Sequence, residues 1–384
     1  MSSYPFLTQI QDTALNTTNT ALGALNNLMA SMNPTTDSEE DGRSDPPEEY
    51  KPTPIDVIVV RVMLEKAAHL PPEVLDMVFD LAEYWPHSTA FVHYPVNRND
   101  RSSFSVKGST QEENKLVLRC PPVGFLDYRR VGEAFKDAPL PPKSVNGSAV
   151  AEPLRSLTLV EPSDTSTEPA KDAPRDYFAG SMTQPPALTH PVRKIVFKTR
   201  SKDQGWGGQR EHHGTYHGSW TWFEAGLEKF DSEHKCDGSC KGTVPDQQSA
   251  PETSSAETSP DRQEANYCTC GLQSVYPPVV VSSDGRMAYH HHVSALENLK
   301  IQANKTTHKH WLEHEVVWSW TDDTHPESPE ADRLVDIGRG RGTGTGRFVR
   351  SLKLGDVVTV WGKARFGGWT NNVEFVKVEI YWAI

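Results

Sequence analysis

Apolar and polar residues alternate with period two through the C-terminal half of the chain. In NNVEFVKVEIYWAI (371–384), Val376, Val378, Ile380, Trp382 and Ile384 share one face, and Lys377 and Glu379 share the other. In DVVTVWGKARF (356–366), Val358 and Val360 point one way, while Trp361, Lys363 and Arg365 point the other. Trp361, in line with two cations, reads either as a surface residue or as one packed under a loop or second sheet. Further runs of β-branched and aromatic residues at 115–123, 191–200, 218–227, 275–283, 314–322 and 346–354 are expected as strands; Gly, Asp and Asn separate several of them. Within 218–227, Trp220 and Trp222 are expected on the core face and Phe223 on the other. Only 287–305 reads as partly helical there. Repeated strands with turn signals predict a mainly β fold, an antiparallel β-sandwich.

The period changes upstream. PIDVIVVRVMLEKAAHLPPEVLDMVFDLAEYWP (54–86) predicts two helices broken at the Leu-Pro-Pro, with Pro72 in a first-turn position and Val74, Leu75, Val78, Leu81 and Ala82 on one face. Residues 1–32 have heptad-like spacing at Leu7, Ile10, Ala14, Ala21, Ala24 and Leu28, a stripe too thin for a stable helix alone. The expected organisation is therefore a disordered or weakly helical tail (1–53), a helical hairpin with a mixed segment (54–136), a Pro- and Ser-rich disordered linker (137–187), and a β-sandwich (188–384) interrupted by a polar insertion (232–266).

Composition narrows the partners. The net charge of −12 disfavours nucleic acid and anionic membranes, which recruit Lys and Arg. No apolar run is long enough to cross a bilayer, and the N-terminus lacks a signal peptide's basic and apolar regions. Five cysteines, an odd number, fit a reducing compartment, so a cytoplasmic or nuclear protein is expected. Asn16, Asn146 and Asn304 open glycosylation sequons that carry no meaning without secretion.

Little in the sequence has catalytic form. Cys236, Cys240, Cys268 and Cys270 could supply four thiolates to zinc, with His234 as a spare ligand, although the spacing is not that of paired CxxC motifs. His310 and His314 share a face but lack the Glu of HExxH, and His290, His291 and His292 form a three-histidine run. GRGRGTGTGR (338–347) lacks the lysine and the strand–helix context of a phosphate loop and reads as a hairpin loop. There is no GxSxG elbow.

LPPEVLDMVFDLAEYW (70–85) resembles the opening helix of an F-box, through Leu70, Pro71, Glu73, Val74, Leu75, Val78 and Phe79. That resemblance implies a Skp1-like adaptor as partner, docked on Leu70, Pro71, Val74 and Leu75. RKIVFKTRSKDQGWGG (193–208), GSWTWFEAG (218–226) and LKLGDVVTVWGKARFGGWTNNVEFVKVEIYWAI (352–384) resemble an uncharacterised fungal family. This second likeness implies a jelly roll of the galactose-binding type, with ligands taken by loops at one end and no catalytic role.

The expected function is a non-catalytic binding or adaptor protein for a protein or carbohydrate. Its expected ligand residues are Asp203, Gln204, Trp206, Arg365, Trp369 and Asn371, an aromatic, amide and guanidinium set suited to sugar rings or a peptide. The alternatives are an F-box-type receptor of a ubiquitin ligase and a metal-dependent enzyme.

Overall fold

The computed structural model describes residues 50–129, 131, 135, 172–179, 182, 185–233, 271–281 and 287–384. The chain divides into two compact units, Met1–Pro86 and His87–Ile384.

The first unit holds helices α1 (Pro54–Ala68) and α2 (Pro72–Leu81). Thr53 opens α1 with a capping box: its hydroxyl accepts the Asp56 N–H, and the Asp56 carboxylate accepts the Thr53 N–H. His69 ends it in the left-handed region. Pro72 sits in the first turn of α2, where its missing N–H costs nothing. The buried face of α2 is Leu75, Val78 and Phe79; Leu81, expected on that face, is exposed. Arg61 pairs with Asp76 and lies over the Phe79 ring, tying the two helices together.

The second unit is an antiparallel sandwich of two sheets. One is built on β12 (Thr370–Trp382), flanked by β4 (Val192–Lys202) on one side, with β10 (Leu312–Ser319) beyond β4. On the other side of β12 lie β2 (Phe104–Lys107) and β1 (His87–His93), end to end along its length. The facing sheet has the order β3 (Asn114–Arg119), β11 (Val357–Ala364), β5 (Thr221–Phe230), β6 (Leu272–Tyr276), with β9 (Lys300–Ala303) also on β5. A small third ribbon joins β7 (Val279–Val281) to β8 (Met287–Tyr289). Three short helices, α3 (Arg175–Ala179), α4 (Pro329–Asp336) and α5 (Arg347–Ser351), and two 3-10 turns, Arg210–His212 and Thr343–Thr345, complete the described elements.

The chain passes from sheet to sheet between β2 and β3, β3 and β4, β4 and β5, β9 and β10, β10 and β11, and β11 and β12, a jelly-roll-like alternation. Between the sheets lies one core: Val376, Val378 and Ile380 of β12, Ile195 and Phe197 of β4, Val316 and Trp318 of β10, Phe223, Ala225 and Leu227 of β5, and Val358 and Val360 of β11. A second cluster around Phe135, Phe178, Phe230 and Val357 packs outside the facing sheet.

Several expectations change. β1 to β3 belong to the sandwich, so it begins at His87 and not near residue 188. Residues 287–305 form β8, a turn segment and β9 rather than a helix, and 347–351 is helix α5 rather than strand. Phe223, not Trp222, faces the inter-sheet core; Trp222 is equally buried on the outer face. Cys236, Cys240, Cys268 and Cys270 lie outside the described residues, as do 1–49 and 137–171.

Candidate functional site: an aromatic loop cluster at one end of the sandwich

Three loops meet at one end of the sandwich: 203–214 after β4, 304–310 after β9, and 365–369 between β11 and β12. A polar network beneath them closes the core. The Asn304 amide donates to Thr221 Oγ1 at 3.1 Å and to Asn371 Oδ1 at 2.9 Å, and its oxygen accepts from Ser201 at 2.6 Å. Asn371 in turn donates to the Trp222 carbonyl at 3.1 Å. All four side chains are buried, so their polar atoms require these partners.

Asp203 organises the first loop. Its Oδ1 accepts the N–H groups of Gly205 at 2.7 Å and His308 at 3.0 Å, and its Oδ2 accepts that of Thr307 at 2.6 Å. Burial raises its pKa to about 6, even though these donors pull the other way. Gln204 bridges two loops by accepting the Thr370 N–H at 3.0 Å and donating to the Trp206 carbonyl at 2.7 Å. Gly205, Gly207 and Gly208 all have positive φ, which lets the loop reverse beside Thr306 and Lys309.

This frame lifts Trp206 into solvent, where it is 62% exposed. Its ring lies over Gly368, where a Cβ would come within 2.9 Å of it. Next to that glycine, Phe366 is 46% exposed and holds φ +61°, an uncommon conformation for a bulky residue. Phe366 meets Trp220 edge to face at 4.5 Å. Trp369 is half-buried beside Gly208.

The six expected ligand residues thus gather in one region but divide by role. Trp206, Trp369 and Gln204 reach the surface, although Gln204 already spends its amide within the frame. Asp203, Asn371 and Arg365 are buried and partnered internally. Arg365 donates to the carbonyls of His292 (2.6 Å), Ala364 (2.9 Å), Val293 (3.1 Å) and Glu113 (3.1 Å), and to Asn114 Oδ1 (2.9 Å). A guanidinium so occupied is a structural clamp. Phe366 joins the cluster unannounced by any motif; its one signal in the sequence is a large aromatic directly before Gly367-Gly368.

The other candidates scatter. His310 and His314 find no third ligand, and among the described residues no group of three His, Cys, Asp or Glu could hold a metal ion. His314 instead bonds the Tyr216 hydroxyl at 2.8 Å. The arginines of 338–347 brace neighbouring loops: Arg341 pairs with Asp332 and donates to the Pro326 carbonyl, and Arg339 donates to that of Val317. In the first unit Leu75 is buried, Leu70 and Val74 are half-buried, and Pro71 is exposed. Among the described residues no helix is long and apolar enough to cross a membrane. Comparison with protein-family models, curated proteins and solved structures finds no match to the chain.

Proposed function

We propose that the protein is a non-catalytic binding module whose sandwich end takes a ligand with a flat apolar face, a sugar ring of a glycan foremost. The carrying observation is the 62% exposure of Trp206 on a loop held in place by Asp203 and Gln204. A rigid, solvent-facing indole gains area on binding without the entropy cost of ordering its loop. A protein surface is the other ligand of this kind, and the fungal resemblance to galactose-binding jelly rolls supports the glycan. The module belongs to the cytoplasm or nucleus on its cysteine usage.

The test is a glycan array with the full chain, followed by titration on tryptophan fluorescence. Trp206→Ala should weaken the best ligand at least tenfold while the melting temperature stays unchanged. Unchanged affinity in that variant would overturn the assignment, and an array without any hit would leave the glycan reading refuted.

The F-box resemblance supports a second role, substrate receptor of a ubiquitin ligase. Met77 and Leu81 of α2 are exposed at 62% and 67%, apolar surface that an adaptor could cover. Recovery of a Skp1-like adaptor with the full chain, abolished by Leu81→Asp, is the expected outcome; a chain that recovers no adaptor lacks this role.

A further inference from the structure

The chain carries a net charge of −12, yet the loops at the aromatic end of the sandwich are cationic. Segments 204–217 and 304–310 hold Arg210, Lys305 and Lys309 against a single acid, Glu211, and they contain five of the chain's 15 histidines. Elsewhere on the sandwich the surface cations are matched. Lys198 pairs with Glu315 at 2.6 Å, Arg200 with Glu374 at 2.7 Å and Lys377 with Glu379 at 2.9 Å. Arg210 and Lys309 are exposed and make no ion pair among the described residues.

These charges stand beside Trp206. Lys309 packs against Gly205, the residue before it, where a Cβ would lie 2.9 Å from the Lys309 Cβ. His213 sits against Gly207, the residue after it, with Nε2 3.1 Å from the Gly207 carbonyl. Thr307 donates to that same carbonyl at 2.6 Å, locking the two loops together. A carbonyl only accepts, so His213 Nε2 carries the hydrogen and Nδ1 is left to take a proton. The same holds for His308, whose Nδ1 lies 3.2 Å from the His310 carbonyl and whose Nε2 is left. Both rings can gain charge without losing a bond, and imidazole changes charge between about pH 8 and 5.

The nearby acids are already committed. Asp203, which faces His213, accepts three backbone N–H groups. Asp100 accepts from Lys202 and from the Trp311 indole, with His310 close by. Asp336 lies 3.2 Å from His217, and Glu313 stands opposite Arg200. Glu211 is the remaining acid, and it is exposed. A surface whose cations lack partners while its acids have them attracts anions.

We propose that the ligand stacked on Trp206 is an acidic glycan, whose uronate carboxylate or sulfate group is met by Lys309, Arg210 and the charged form of His213. This rests on the glycan reading of the Trp206 surface and adds the charge that its ligand carries. A sugar presents its ring face to an indole and its acid group at the ring edge, which suits cations set beside the indole.

The full chain is screened on an array of neutral, uronate-bearing and sulfated glycans at about pH 6.5 and 8. The screen is repeated at about 0.01 and 0.3 M sodium chloride, because salt shortens the reach of exposed charges. Acidic glycans should be retained at least about tenfold more tightly than their neutral counterparts. Their affinity should rise about threefold from pH 8 to 6.5, fall with salt, and drop at least about fivefold in Lys309→Gln and in Arg210→Gln, with the melting temperature unchanged. The emission lost in Trp206→Phe reports that indole, and iodide should quench it more strongly than caesium. Neutral glycans bound as tightly through Trp206 keep the earlier reading and overturn this one. An acidic glycan indifferent to salt and to both variants overturns it too, as does caesium quenching equal to that of iodide. An array that retains nothing refutes both readings.

Discussion

Arg119 and Glu228 form an ion pair with side chains 0% and 4% exposed, linking β3 to β5 across β11. The pair is bidentate, and the remaining guanidinium edge donates to the Phe135 carbonyl at 3.0 Å. Burial opposes the Arg119 charge, but Glu228 outweighs it and raises the pKa. Glu228→Gln keeps the shape and removes the counter-charge. Arginine cannot shed its proton, so the charge stays buried and uncompensated, and the expected cost is about 3–5 kcal/mol. That is a large share of the 5–15 kcal/mol typical of a domain. Arg119→Met leaves the opposite residue, a carboxyl that can neutralise itself by taking up a proton in a dry site. Its deficit should therefore shrink as pH falls from 7 to 5, while that of Glu228→Gln should not. The double variant Arg119→Met/Glu228→Leu should recover most of the loss, because two apolar groups need no partner. Urea unfolding of the four proteins at both pH values measures these terms. The reasoning fails if Glu228→Gln costs under about 1 kcal/mol, or if the double variant is as unstable as the two singles summed.

Two further outcomes follow from packing and charge. A Cβ at Gly226 would lie 2.2 Å from Thr359 Oγ1 and 2.6 Å from the Tyr276 carbonyl, so Gly226→Ala should cost about 1–3 kcal/mol in urea unfolding and displace β6, read as faster amide exchange in 272–276. His314 is pushed down to about 4 by burial and, less, by Lys305. The unfolded chain then binds the proton better, so this residue's contribution to stability is present above about 6.5 and lost as pH falls toward 4. His314→Gln should flatten the melting-temperature profile in that window, and an unchanged slope would refute the assignment.

What the sequence showed depended on whether alternation had one buried face. β12 was legible because Val376, Val378 and Ile380 are buried against the other sheet while Lys377 faces outward. β1 was not, because its pattern is inverted: Ser88 and Ala90 point inward and Phe91 is 45% exposed. In β5 both faces are covered, so period two located the strand but could not say whether Trp222 or Phe223 met the core. The same ambiguity shaped the site. Asp203, Arg365 and Asn371 have the chemistry of ligand residues and lie near loops, and only long-range partners reveal their occupation. Asp203 is claimed by the 307–308 backbone, Arg365 by the carbonyls of 292–293 and Asn371 by Asn304. A polar residue at a strand end is available to a ligand only if the fold leaves its hydrogen bonds unspent, and that depends on residues too distant in sequence for local pattern to reach. Aromatic residues escape this limit, since Trp206 needs only exposed faces to bind. The aromatic part of the expected site therefore survives in the structure as surface, while its polar part turns into scaffold.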